Sequence, residues 1–243
     1  SVSGQISTSI PVGAGLSSSA ALEIAVALAL GSTLPASELA QLTQRAEHLA
    51  TGVPTGIMDQ LCITSARQGH GALIDCTTLA VRHIPIPSDV KIVVRFIAHR
   101  TLVGSAYADR VAQCKAAESI IGPLRNAATS DIAKIDNKII RARASHVVSE
   151  NERVLDFSSA LEEGDYHTAG FVMTDSHTSL ANDFEVSNSQ MDHAVRTLCA
   201  TPGVYGARMT GGGFGGCIVA LCDPDAVVDG WHVQPVGAAH HVA

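Results

Sequence analysis

Apolar positions along this chain recur with two different periods. Residues 2–10 alternate in part, through Val2, Ile6 and Ile10, and predict a strand. The run Leu22 to Leu30 is strongly apolar and helix-prone, which predicts a helix over about 16–30, closed by a turn at Gly31 and Pro35. Leu39, Leu42, Ala46 and Leu49 keep helical spacing behind Glu38 and predict a second helix over 36–50. A loop over 51–56 leads into Ile57-Met58-Asp59-Gln60-Leu61-Cys62. Gly69-His70-Gly71 reads as a hairpin turn between strands at 61–66 and 72–76. Ile92, Val93, Val94, Phe96 and Ile97 predict a buried strand from Lys91 to Ala98. The spacing is helical from about 104 to 121, and a helix-rich stretch continues to about 200. It is broken at Gly122-Pro123, Gly164-Asp165 and Asn182-Asp183. Strands over 203–208 and 217–221 complete the pattern. Strands separated by single or paired helices indicate an α+β fold rather than a doubly wound parallel sheet.

The 243 residues suffice for one large domain or two small ones. Hydrophobic residues make up 46% and charged residues 16%, enough apolar material for a substantial core. The net charge of −7 and the lack of a basic stripe argue against nucleic-acid binding. Six cysteines lie scattered without CxxC spacing, and no HExxH occurs among eleven histidines. The cysteines read as buried thiols of a reducing cytoplasm. The N-terminal residues do not read as a leader, and residues 22–30 are too short for a membrane span.

Two glycine clusters change the picture. Pro11-Val12-Gly13-Ala14-Gly15-Leu16-Ser17-Ser18-Ser19-Ala20 stands at the mouth of the first predicted helix. Glycines admit a ligand close to the backbone, serines supply hydroxyls, and a helix start presents unpaired N–H groups with partial positive charge. The combination describes a phosphate cradle. It is not a Walker A loop, because no GxxxxGK[ST] occurs. The acidic residue of a dinucleotide fingerprint, some 20 positions downstream, is also missing. Thr210-Gly211-Gly212-Gly213-Phe214-Gly215-Gly216 forms the second cluster. Asp59, set among apolar neighbours, is either a satisfied structural carboxylate or a site residue. Glu47 is either a solvated helix residue or an acidic magnesium ligand that works beside a serine hydroxyl. Tyr107 could contact a ligand or simply pack, and His177 reads by default as a satisfied histidine.

Together these segments resemble the GHMP small-molecule kinases, and within them the galactokinases. Pro11–Ala21 looks like the phosphate-binding motif of that superfamily. Arg208 to Cys217 looks like its third, glycine-rich motif, and Gly56-Ile57-Met58-Asp59-Gln60 looks like the catalytic segment. Residues 71–76, 149–154 and 176–187 fit the same family, so the resemblance runs from about residue 2 to 223. It implies a GHMP kinase fold, with a ribosomal protein S5 domain 2-like part and a ferredoxin-like C-terminal part. Residues 1–85 would be the remainder of the N-terminal domain and residues 86–243 the C-terminal domain. It further implies ATP-dependent phosphorylation of D-galactose at the anomeric hydroxyl. Asp59 would be the catalytic carboxylate. Pro11, Gly13, Gly15, Leu16, Ser17, Ser18, Ser19 and Ala20 would bind the nucleotide. Ser19 and Glu47 would hold Mg2+. Gly56, Asp59, Tyr107 and Gly212 would line the sugar site. A cytoplasmic monomer follows, with galactose and ATP as its only partners.

The chain also departs from the family pattern. The Gly-Glu-His-Thr-Asp signature and its preceding arginine do not occur. Val111, Ala181 and Asn182 stand where the family tends to have Arg, Arg and Asp. Residues 233–238 resemble the family's final strand but follow Asp223–Val228 almost directly. These departures predict an N-terminally incomplete chain with an open-edged sheet, which binds nucleotide without turnover. A kinase for N-acetylgalactosamine or arabinose, or a non-catalytic galactose and ATP sensor, are the alternative readings.

Overall fold

Eight helices and six strands form among the described residues, 3–99 and 106–241, of this computed structural model. In chain order they are α1 (Ser18–Ala29), α2 (Ala36–Thr51), α3 (Met58–Ser65), β1 (His70–Ile74), β2 (Val81–Pro85), β3 (Lys91–Ala98) and α4 (Tyr107–Ile121). A short 3-10 turn at Leu124–Asn126 precedes α5 (Thr129–Ile132), α6 (Lys138–Glu163), α7 (Tyr166–Asn182), α8 (Ser189–Cys199), β4 (Val204–Met209), β5 (Gly216–Cys222) and β6 (Trp231–Val233).

Local chemistry sets most helix ends. The Asn137 side chain accepts from the amides of Ile139 and Ile140, and Asn188 does the same for Gln190 and Met191. Asp165 caps α7 through Thr168 N–H at 3.0 Å. Gly52 and Gly164 take up left-handed conformations and stop α2 and α6.

The principal sheet runs β4-β5-β3-β6 and is antiparallel throughout. β5 and β3 are its inner strands, and β5 is buried on both faces. Its side chains alternate: Ile218, Ala220 and Cys222 join Met191, Val195 and Leu198 of α8, whereas Leu221 faces the cluster of Leu161, Met173 and Ile84. α7 lies directly on β4. A Cβ on Gly206 would come within 1.9 Å of Gly170 O, and one on Gly170 within 2.1 Å of Tyr205 O. Only glycine at both positions allows that approach. β1 and β2 form a separate hairpin that packs against α3 and α6.

Three sequence expectations need correction. Residues 3–9 adopt no regular structure and are exposed, because no strand among the described residues pairs with them. Residues 58–65 are helical rather than a strand over 61–66, since Leu61 is drawn with Ile57 onto Ala40 of α2. The hairpin turn therefore falls later, at 75–80, where the Asp75 carboxylate accepts from the amides of Thr77 and Thr78. The last strand is Trp231–Val233, three exposed residues on the sheet edge, and 234–238 continue without strand structure. The predicted strand at 91–98 and the helix breaks at 122–123, 164–165 and 182–183 coincide with observed boundaries.

Candidate active site

The first glycine cluster runs into α1 through three left-handed residues, Gly13, Gly15 and Ser17. No side chain caps the helix, so the first-turn amides of Ser18 to Ala20 point forward as an open anion site. Pro11 O accepts from Ala14 N–H and closes the loop into a turn. Ala14 is buried against Val94 and Cys217, with Leu16 and Phe96 beside them. This contact seats the loop at the start of β5, directly after the second glycine cluster.

Glu47 is the hub of the polar network behind the loop. Its Oε1 accepts from Ser19 Oγ at 2.6 Å. Its Oε2 accepts from Thr55 Oγ1 at 3.0 Å and from Gln60 Nε2 at 2.9 Å. Helix α2 grips the neighbouring loop further: Gln44 Nε2 donates to Thr55 O at 3.0 Å, and His48 Nε2 lies 2.8 Å from the same oxygen. Gly56 is thereby fixed by its neighbour Thr55, and Asp59 by its neighbour Gln60. Asp59 sits half-buried in the first turn of α3.

Glu23 belongs to this cluster and was not anticipated. It stands four residues beyond Ser19, on the same face of α1. Burial, and then the Glu47 carboxylate, push its pKa up to about 7, against a hydrogen bond with Gln60 and the charge of His48. Glu23 Oε2 and Gln60 Oε1 are buried oxygens without a hydrogen-bond partner. A proton on Glu23 relieves its repulsion with Glu47 and supplies a donor where two acceptors are unsatisfied.

The second glycine cluster is a run of left-handed backbone at Gly213, Phe214, Gly215 and Gly216. Thr210 N–H donates to Cys217 O at 3.0 Å across its neck, and Phe214 N–H donates to Val186 O at 2.7 Å beneath it. Gly213 has no room for a side chain, since a Cβ would lie 2.5 Å from Val186 O. Gly212 sits at the crest, half-exposed. A 570 Å³ cavity opens alongside, with Met58 on one wall and Thr210 and Gly211 on another. Its remaining lining is chiefly apolar, with Leu73, Ile84 and Phe157. Its polar end is the Arg208–Glu150 pair at 2.9 Å.

The structure thus gathers Ser19, Glu47 and the segment 55–60, and seats the 11–20 loop beside the base of the second glycine turn. Tyr107 opens α4, whose main packing partner is α6. His177 is buried but only half satisfied: its Nδ1 accepts from Met209 N–H at 3.3 Å, whereas its Nε2, 3.3 Å from Asp192 Oδ1, makes no hydrogen bond. No helix among the described residues is long and apolar enough to cross a membrane.

Comparison with known proteins gives this geometry a family. Residues 1–67 match the family described as GHMP kinases N terminal domain, and residues 157–232 match that described as GHMP kinases C terminal. A galactokinase of Roseiflexus sp. (strain RS-1) is 44% identical across 91% of this chain and 61% of its own length. The galactokinase of Homo sapiens is 40% identical across 90% of this chain and 59% of its own. The structure of Lactococcus lactis galactokinase complexed with galactose matches with a TM-score of 0.84 at 34% identity, over 89% of this chain and 60% of that one. That of L. major mevalonate kinase in complex with R-mevalonate matches with a TM-score of 0.54 at 18% identity, a likeness of fold alone. The chain spans about three fifths of the length of the curated relatives it matches. It belongs to the GHMP kinase family, and its mixed helix-and-sheet fold is the fold of that family.

Proposed function

We propose that this GHMP kinase chain serves the transfer of the terminal phosphoryl group of ATP to the anomeric hydroxyl of D-galactose, giving galactose 1-phosphate and ADP. One observation supports the reading most: an uncapped helix start stands directly behind Gly13 and Gly15, and the first turn of that helix binds Ser19 to Glu47 at 2.6 Å. Galactokinases, rather than kinases for N-acetylgalactosamine or arabinose, are the relatives named above, which favours galactose as the sugar.

In this reading Pro11, Gly13, Gly15, Leu16, Ser17, Ser18, Ser19 and Ala20 wrap the triphosphate. Their backbone amides and the α1 dipole offset its charge. Ser19 and Glu47 fit Mg2+, because a hydroxyl and a carboxylate already in contact are the oxygen donors a hard cation takes. The ion, when bound with ATP, neutralises phosphate charge. Asp59 orients the anomeric hydroxyl and accepts its proton as the sugar oxygen bonds to the γ-phosphorus and the bond to the ADP oxygen breaks. Gly56, Tyr107 and Gly212 line the sugar. Positioning supplies most of the rate. We assign residues 1–85 to the family's N-terminal domain and residues 86–243 to its C-terminal domain. A cytoplasmic location is also part of the proposal, supported by the scatter of six cysteines without CxxC spacing, of which Cys217 and Cys222 are buried while Cys62 and Cys76 are exposed, against the expectation of buried thiols.

The test is ADP release from magnesium-ATP with and without D-galactose, with Asp59→Asn run beside it. Galactose-dependent release that disappears in Asp59→Asn, while nucleotide affinity persists, supports the reading. Galactose-dependent release that persists undiminished in Asp59→Asn, or a preference for another sugar, overturns it. For the 243 residues alone we expect nucleotide binding without turnover, because the Gly-Glu-His-Thr-Asp signature does not occur in them.

A further inference from the structure

Beyond the catalytic cluster, the second glycine turn rests on a segment that two buried arginines hold in place. After α7 the chain turns through Asp183, Phe184 and Glu185 to Val186. Glu185 is left-handed, with φ 52°, a conformation that costs a residue with a side chain about 1 kcal/mol. The turn also follows a helix C-terminus, whose last carbonyls lack intrahelical donors. Ser179 O and Leu180 O find donors within the turn, in the amides of Asp183, Phe184 and Val186, and guanidinium groups serve the carbonyls of the turn itself. Arg110 Nε donates to Phe184 O at 2.6 Å, and its Nη2 donates to Glu185 O at 3.0 Å. Arg143 Nη1 donates to Asp183 O, and its Nη2 meets the Glu185 carboxylate at 2.5 Å. Gln113 Oε1 accepts from Arg143 at 2.9 Å and from Arg110 at 3.3 Å, so one amide oxygen separates the two cations.

What these arginines hold is the floor of the glycine turn. Val186 N–H donates to Leu180 O at 3.0 Å, and Val186 O accepts from Phe214 N–H. Val186 also fills the space that a side chain at Gly213 would need. We propose that Arg110 and Arg143, with Glu185 and Gln113, are positioning residues. They fix the 183–186 turn and, through Val186, the height and orientation of the glycine turn at 211–216. Arg110 lies one helical turn beyond Tyr107 on α4, so the clamp also sets the distance between that helix and the glycine turn. Its catalytic consequence rests on the proposed function, in which Tyr107 and Gly212 flank the sugar; its mechanical consequence does not.

The Glu185 side chain is 60% exposed and that of Arg143 only 3%. Glu185→Gln therefore removes the neutralising charge from the surface, where folding is least at risk, and keeps an acceptor oxygen. The experiment is site-resolved amide hydrogen exchange on the full chain for the parent, Glu185→Gln and Arg143→Lys. Arg82→Gln, which breaks an exposed ion pair elsewhere, serves as the control. We expect Phe214 N–H to exchange about tenfold faster in Glu185→Gln and faster still in Arg143→Lys. Amides of β3 and of Arg82→Gln should match the parent. Unchanged Phe214 exchange in a folded Glu185→Gln overturns the proposal, as does a uniform rise across all amides. Should Arg143→Lys fail to fold, Glu185→Gln decides alone. A second readout is the kinetic split: in the active enzyme Glu185→Gln should lower kcat several-fold and leave KM for ATP unchanged. Loss of galactose dependence with Phe214 exchange behaving as expected would sink the sugar reading and leave the clamp standing.

Discussion

Residues 11–20 and 210–216 are both glycine turns that open into a regular element, yet side chains hold the first and backbone holds the second. The first is anchored by Ala14 and Leu16 on the sheet and by Ser19 on Glu47, and the amides of Ser18 to Ala20 at its helix start stay unclaimed. The second spends its amides on the protein itself, at Cys217 O and Val186 O, and presses Gly213 against Val186 with no clearance. The difference teaches what each can do. A turn with free amides can close around a ligand of variable position, such as a flexible triphosphate. A turn whose amides are committed keeps one shape with or without ligand.

The comparison breaks first at Gly213. Gly213→Ala should cost about 3 kcal/mol, because the new methyl meets backbone 2.5 Å away in a left-handed residue. Urea unfolding measures this, and a loss below about 1 kcal/mol would mean that the 186 floor yields. Nucleotide affinity of the folded fraction should stay within about threefold of the parent, since the first loop is untouched.

Glu47→Ala should do the opposite. It leaves Ser19, Thr55 and Gln60 without their acceptor and should cost about 2 kcal/mol. It should also weaken magnesium-nucleotide binding at least tenfold. A fluorescent ATP analogue titrated with and without magnesium checks both halves, and undiminished magnesium dependence would remove Glu47 from the metal role.

A smaller effect comes from pH. Glu23 holds its proton in the folded state up to about pH 7, above its ordinary value of 4.5. Between those values the folded state binds the proton and the unfolded state does not, so this group's contribution to stability falls as pH rises from about 4.5 to 7. Glu23→Gln should flatten that slope in denaturant titrations at pH 5 and pH 7. An unchanged slope would show that another group causes it.

The smallest change is Ser17→Gly. It relieves a left-handed serine and should raise stability by about 0.5 kcal/mol, offset in part by the entropy of the unfolded glycine. A loss instead would mean that the Ser17 side chain does more than occupy its place.

The elements with one strong period were legible in the amino acids. The strand at Lys91–Ala98 and the helices begun by Asn137, Asp165 and Asn188 carry their own signals, burial pattern in one case and caps in the others. Residues 61–66 misled because Leu61 and Ile63 alternate like a strand, and only tertiary contact with Ala40 decides for a helix. The true turn did have a local signal, since Asp75-Cys76-Thr77-Thr78 is an Asx-turn sequence. In the candidate site, the Ser19 to Glu47 pairing came through resemblance, and Glu23 was within reach by helical spacing from Ser19. The arginine clamp was not, because Arg110 and Arg143 act mainly on carbonyl oxygens, which every residue possesses and no motif records.

The inner position of β5 has a consequence for how the protein is made. Its partner β3 pairs Lys91 with Cys222, and its other partner β4 immediately precedes it. On a ribosome, β3 emerges early and must wait while five helices are synthesised before its neighbour exists. During that interval neither edge of β3 has its sheet partner, since β5 and β6 both come later, and an apolar strand lies open to any passing chain. The nascent protein therefore depends on speed of delivery, or on a chaperone to cover that strand, far more than the compact sheet of the finished fold would suggest.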